Sequence, residues 1–178
     1  MIEVRDGEIV KVHDGEKAAV YEDGVVGVYF GGKAEVYEGG EATVRKGGRA
    51  KVYKGGKATV YDGEVLVEDG GKAEVREGGF AYVCEGGTAT VYGLGFVEVH
   101  DGGLVYVGKG GMAEVYFGGK AYILDGGEVA VGKGGKAEVY AGAVAKVYEG
   151  GYVINHSWAE VTGYDKITYV DQELHPSF

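Results

Sequence analysis

Four blocks, GGKAEVYE (31–38), GGEATVRK (39–46), GGRAKVYK (47–54) and GGKATVYD (55–62), follow one another without a gap, so the chain has an internal period of eight. No other feature limits its fold as strongly. A marker valine recurs every eighth residue from Val4 to Val60. After the loss of one residue it recurs again from Val67 to Val147, with Ile123 substituting once. The repeat reads G-G-x-(A/V)-x-V-(Y/R/H)-(E/K/D), numbered here as places one to eight.

Small apolar residues at places four and six alternate with Lys, Glu, Thr or Tyr at places three, five and seven, as in Ala34 and Val36 beside Lys33, Glu35 and Tyr37. That period of two marks a strand with one buried face. The Gly-Gly pair supplies positive φ and close backbone approach, so the chain turns sharply after each strand. Glycine accounts for 37 of 178 residues, about three times its usual share of roughly 7%. One Pro (Pro176), one Asn (Asn155), one Gln (Gln172) and two Ser (Ser157 and Ser177) exclude the mixed composition of a disordered linker. The glycine is structural.

Identical corners imply a coil that always rotates in one sense, an all-β parallel β-solenoid. Two octads per coil would give a flat roll, and three a triangular prism. GGLVYVGK (102–109) returns as GGEVAVGK (126–133), and GGMAEVYF (110–117) returns as GGKAEVYA (134–141), both 24 residues on. This spacing predicts a triangular coil of three octads, with Val107 over Val131 and Tyr116 over Tyr140. Residues 1–157 form the solenoid on this reading, and residues 158–178, with Trp158, Tyr164 and Phe178, form a C-terminal cap and tail that covers the open strand edge.

The octads resemble those of short-repeat parallel β-solenoid proteins, in particular the Gly-Gly-x-Ala-x-Val-Tyr tandem repeats of phages and bacteria. The likeness spans residues 1–157 and implies a fold and a phage or bacterial origin, with no activity attached. Pentapeptide repeats need a period of five and calcium-binding rolls need GGxGxD at nine, and neither spacing occurs.

Chemistry is sparse. His13, His100, His156 and His175 are scattered without a zinc-like spacing. Cys84, beside Glu85 at an outward place seven, reads as an exposed thiol with nothing to favour its thiolate. As the lone cysteine it can form no intrachain disulfide. Neither serine lies in a nucleophile elbow, and no Gly-Gly pair opens a phosphate loop. Dense carboxylates such as Glu68 and Asp69 read as a solvated face rather than a glycosidase pair. No cofactor, metal or catalytic residue is expected. The N-terminus lacks a basic region followed by an apolar stretch, and no apolar run of about 18 residues occurs. The simplest reading places the chain in the cytoplasm, the host's if it is phage-encoded, away from membranes. In that compartment the sequon Asn155-His156-Ser157 has no role.

Two surface features exceed background. Tyrosine dominates place seven, and a 24-residue coil stacks Tyr92, Tyr116 and Tyr140 in one column, Tyr29 with Tyr53, and Tyr37 with Tyr61. Charge is also asymmetric. Residues 1–61 balance ten basic against ten acidic side chains, so the net charge of −10 lies entirely in the remainder. Arg45, Lys46, Arg49, Lys51, Lys54 and Lys57 form a basic band, followed by Asp62, Glu64, Glu68, Asp69, Glu74, Glu77 and Glu85.

The leading expectation is therefore a non-enzymatic, rigid, acidic rod that binds a protein partner through Glu64, Glu68, Asp69, Glu74, Glu77, Tyr92, Tyr116 and Tyr140. The alternative is an acidic decoy that imitates the phosphates of a duplex and inhibits a nucleic-acid-binding defence enzyme. Direct nucleic-acid binding is disfavoured by the net charge. A carbohydrate-active solenoid enzyme is the third and least favoured class, and self-association through the end coils or a tyrosine face is a further partner reading.

Overall fold

The computed structural model describes residues 1–156, 158–163 and 167–170, the last segment by its backbone alone. These residues form 22 short strands, from Ile2–Val4 to Ile167–Val170. Successive strands fall alternately into two parallel sheets of 11. The fold is the expected all-β parallel solenoid, at two octads per coil rather than three.

Register shows this directly. Lys33–Val36 pairs with Arg49–Val52, and Ala34 lies opposite Ala50. Val107 pairs with Val91 and Ile123, each 16 residues away, and not with Val131. The blocks that recur at 24 lie on opposite sheets, since Leu104–Val107 belongs to one and Glu128–Val131 to the other. Sequence likeness at 24 therefore has no counterpart in the coil. The inward residues explain the two-layer section. Ala and Val at places four and six are small, and two sheets facing each other can close until such side chains touch. A triangular section would enclose a volume that they cannot fill, and unfilled volume is costly. Eleven coils at about 4.8 Å give a rod about 50 Å long.

The core is a pair of Val and Ala ladders. Val36, Val52, Val67, Val83, Val99 and Val115 on the first sheet have no solvent exposure, nor do Val44, Val60, Val75, Val91 and Val107 on the second. At each corner the amide at place two donates to the carbonyl at place seven, as from Gly40 to Tyr37 at 2.9 Å. The place-one residue has positive φ, 74° at Gly39, the conformation a type II turn demands at that position. Corners also bond from coil to coil: the Gly39 amide donates to Gly55 and the Gly55 amide to Gly70. At the missing residue, Asp62 takes the left-handed place with φ of 52°. Lys72 still pairs with Lys57 and Val75 with Val60. A deletion in a corner therefore leaves the strand faces unchanged.

Glu160–Gly163 and Ile167–Val170 continue the two sheets, pairing with Val144–Val147 and Val153–His156. Strand pairing thus continues past residue 157 into the segment expected to form the cap, at the 16-residue offset for Val144 with Glu160 but at 14 for Val153 with Ile167, so the octad spacing is broken before the last strand. Trp158 occupies a left-handed corner with φ of 62° and is exposed. Tyr164 and Phe178 lie outside the described residues. Asn155 occupies a core valine's place and is buried, its Nδ2 donating to the Ala159 carbonyl at 3.2 Å. The sequon's acceptor nitrogen is therefore inside the fold.

Candidate functional site

With 16 residues per coil, the place-seven columns differ from those expected at 24. Tyr116 lies on the first sheet's edge and Tyr92 and Tyr140 on the second's, so the three do not stack. Nor do Tyr29 with Tyr53 or Tyr37 with Tyr61. Tyr37 instead stacks on Tyr21 at 5.1 Å and on Tyr53 at 4.9 Å. His13 stacks on Tyr29, His100 on Tyr116 and Tyr140 on His156, each pair 16 apart. The rings of Tyr92 and Tyr116 lie against Gly108 and Gly132 of the next coil. Each stacked pair contributes about 0.5–1.5 kcal/mol.

Places five and seven point to the same side, so their side chains meet. The Tyr37 hydroxyl donates to Glu35 at 2.6 Å, and the Tyr116 hydroxyl donates to Glu114 at 2.6 Å. These bonds, reinforced by burial, push both phenols up from 10.0 to about 12. Each phenol holds its proton more tightly folded than unfolded, so the stability it adds is full below pH 10 and is lost as pH rises towards about 12. A tyrosinate absorbance titration is expected to show Tyr37 and Tyr116 among the late-titrating tyrosines, beside Tyr140, whose phenol burial also pushes up, and Glu35→Gln is expected to return Tyr37 towards 10.0. Wild-type-like titration in that variant would refute the assignment.

The five predicted acidic residues do not form one array. Glu64 lies in a strand of the first sheet and Glu68 at the edge just past that strand, Asp69 in the following corner, and Glu74 and Glu77 on the second sheet's side. Three of them meet cations: Glu64 with Arg49 at 3.1 Å, Glu68 with Lys51 at 2.8 Å and Glu74 with Arg76. Arg49 and Lys51 of the basic band lie one coil below Glu64 and Glu68, so at these two pairs the reversal of charge becomes ion pairing between neighbouring coils, whereas Glu74 meets Arg76 two residues along its own chain segment. Such exposed pairs contribute about 0–1 kcal/mol each.

The first sheet's outer face carries a feature that the 24-residue reading concealed. Phe80 and Phe96 are opposite each other in register and stack at 5.4 Å. Tyr82 meets Phe80 edge-on at 4.5 Å, Met112 follows Phe96 in the same column, and Leu66 lies opposite Tyr82. Tyr82 and Met112 are each 37% exposed. Glu64, Glu98, Glu114 and Glu128 border this stripe on the same face. Its signal in the sequence was the 16-residue spacing of Phe80 and Phe96, shared by Tyr106 and Tyr122, which stack at 5.3 Å on the second sheet.

Cys84 is half-buried, and burial, with the carboxylates of Glu68 and Asp101, pushes its thiol up, away from reactivity. Among the described residues no three His, Cys, Asp or Glu side chains are placed to hold a metal ion.

The fold and face together define a parallel β-solenoid of 16-residue coils with an aromatic stripe on one sheet. No protein-family model and no curated protein matches the chain. Among solved structures it is similar to the crystallised TibA fragment hyper-glycosylated by TibC, at 22% identity over 96% of each chain and a TM-score of 0.39. At that score no functional argument follows from the likeness.

Proposed function

We propose that this chain is a non-enzymatic binding scaffold: a rigid acidic rod that engages a protein partner through the stripe of Leu66, Phe80, Tyr82, Phe96 and Met112. The stripe itself is the observation that supports this reading. Aromatic side chains on a regular β-face are pre-ordered, so binding them costs little entropy, and such residues dominate interface energetics. The bordering glutamates favour a partner with an apolar centre and a basic rim.

Capture from a bacterial lysate tests it. The triple variant Phe80→Ser, Tyr82→Ser, Phe96→Ser is expected to lose at least about tenfold in capture while keeping its fold. Replacing Glu64, Glu68, Asp69, Glu74 and Glu77 by their amides is expected to change capture far less. If the amide variant alone loses capture, with a flattened salt dependence and nucleic-acid enzymes among the proteins bound by wild type, the decoy reading replaces this one. Capture indifferent to both variants refutes both.

A further inference from the structure

Every coil rests on the one before it through two contacts that repeat along the rod. The amide at place seven donates to the place-six carbonyl of the coil below: Tyr21 to Val4 at 3.0 Å, Tyr29 to Val12 at 2.9 Å, Tyr37 to Val20 at 2.8 Å. The place-two residue lies directly over that same carbonyl. A Cβ on Gly32 would sit 2.5 Å from the Val12 oxygen, and one on Gly56 would sit 2.6 Å from the Val36 oxygen. Place two is accordingly glycine from Gly24 onward, with alanine at Ala143 and Ala159.

The first coil breaks this rule at both its corners. Place two is Glu8 after the first strand and Glu16 after the second. Their carboxylates turn back to the amides that would otherwise reach for a lower coil: Arg5 donates to Glu8 Oε2 at 3.2 Å, and His13 donates to Glu16 Oε2 at 2.8 Å. The Glu8 and Glu16 amides meanwhile donate to the Arg5 and His13 carbonyls at 2.9 and 3.0 Å. Each corner is thus closed reciprocally, by the logic of a helix capping box applied to a β-turn. The side chains also occupy the space in which a further coil would place its carbonyls, and they add two negative charges to that edge.

We infer that Glu8 and Glu16 are a strand-edge cap: they satisfy the place-seven amides of the lowest coil, at Arg5 and His13, and bar that coil from pairing with a second copy of this chain. Exposed parallel edges otherwise recruit further strands, and proteins guard them with charge. The inference concerns this edge of the solenoid and does not depend on the aromatic stripe.

The double variant Glu8→Gly, Glu16→Gly restores the repeat's own residue, and Glu8→Gln, Glu16→Gln keeps a side-chain acceptor and the steric bar. Amide exchange at Arg5 and His13 is expected to quicken by roughly tenfold in the glycine variant at low concentration and to stay near wild type in the glutamine variant. The glycine variant alone is expected to grow in mass with concentration in sedimentation experiments. Adding Phe80→Ser and Phe96→Ser to it is expected to leave that growth intact, which separates edge pairing from association through the stripe. Unchanged exchange in the glycine variant, equal growth of the glutamine variant, or a mass that never responds to the glycine substitutions would each overturn the cap.

Discussion

Val44→Asp is expected to melt the N-terminal coils, whereas Thr43→Asp, one residue earlier, is expected to change stability by less than about 1 kcal/mol. Val44 has no exposure and stands in the core ladder between Val28 and Val60. An aspartate there forfeits about 1.5–3 kcal/mol of valine burial and places a polar group among hydrocarbons at roughly 2–7 kcal/mol more. The sum rivals a domain's whole stability of about 5–15 kcal/mol. Coils touch only their neighbours, so the damage is expected to concentrate in strands Ile2–Val4 to Lys57–Val60, with the later coils retaining protection against hydrogen exchange. Thr43 faces outward beside Gly27 and Thr59. Comparable losses for the two substitutions would mean that the strand faces are reversed.

Gly111→Val is expected to destabilise by at least about 3 kcal/mol, more than most overpacking substitutions. A Cβ on Gly111 would lie 2.6 Å from the Val91 oxygen and 2.9 Å from its carbon, and these are backbone atoms with no rotamer through which to withdraw. Relief requires the two coils to separate, which strains the bond from the Met112 amide to the Gly95 carbonyl at 3.0 Å. Gly118→Ala is the contrasting case. Gly118 has φ of 83°, and its virtual Cβ meets nothing nearer than the Gly102 nitrogen at 3.6 Å. Its cost is the left-handed conformation alone, about 1–2 kcal/mol, of the kind the chain already accepts at Asp23, Asp62 and Leu94. In the pairs Gly110-Gly111 and Gly118-Gly119 the two glycines thus do different work, the first for φ and the second for clearance. Thermal melts that rank Gly118→Ala as the more damaging would contradict this division.

Local chemistry determined much of this. The alternation of Ala34 and Val36 with Lys33 and Glu35 settles which residues face inward, because a strand's side chains change face at every residue. Glycine pairs settle where the chain turns, and the uniformity of those turns settles that the strands run parallel in a solenoid. None of these arguments counts the sides of a coil, because an octad's strand and corner read alike in a two-sided or a three-sided section. That number is decided by how closely the opposite walls approach, a property of Ala and Val packing across the core that no window of eight residues contains. The functional surfaces follow from it. Phe80 lies beside Phe96 and Tyr37 beside Tyr53 because the coil closes after 16 residues. Tyr92, Tyr116 and Tyr140 are divided between two edges for the same reason. Glu8 and Glu16 look in the sequence like worn copies of a glycine. Only when the coils are stacked do their carboxylates stand where the next carbonyls would be, since the need for a cap arises from an edge that exists in three dimensions.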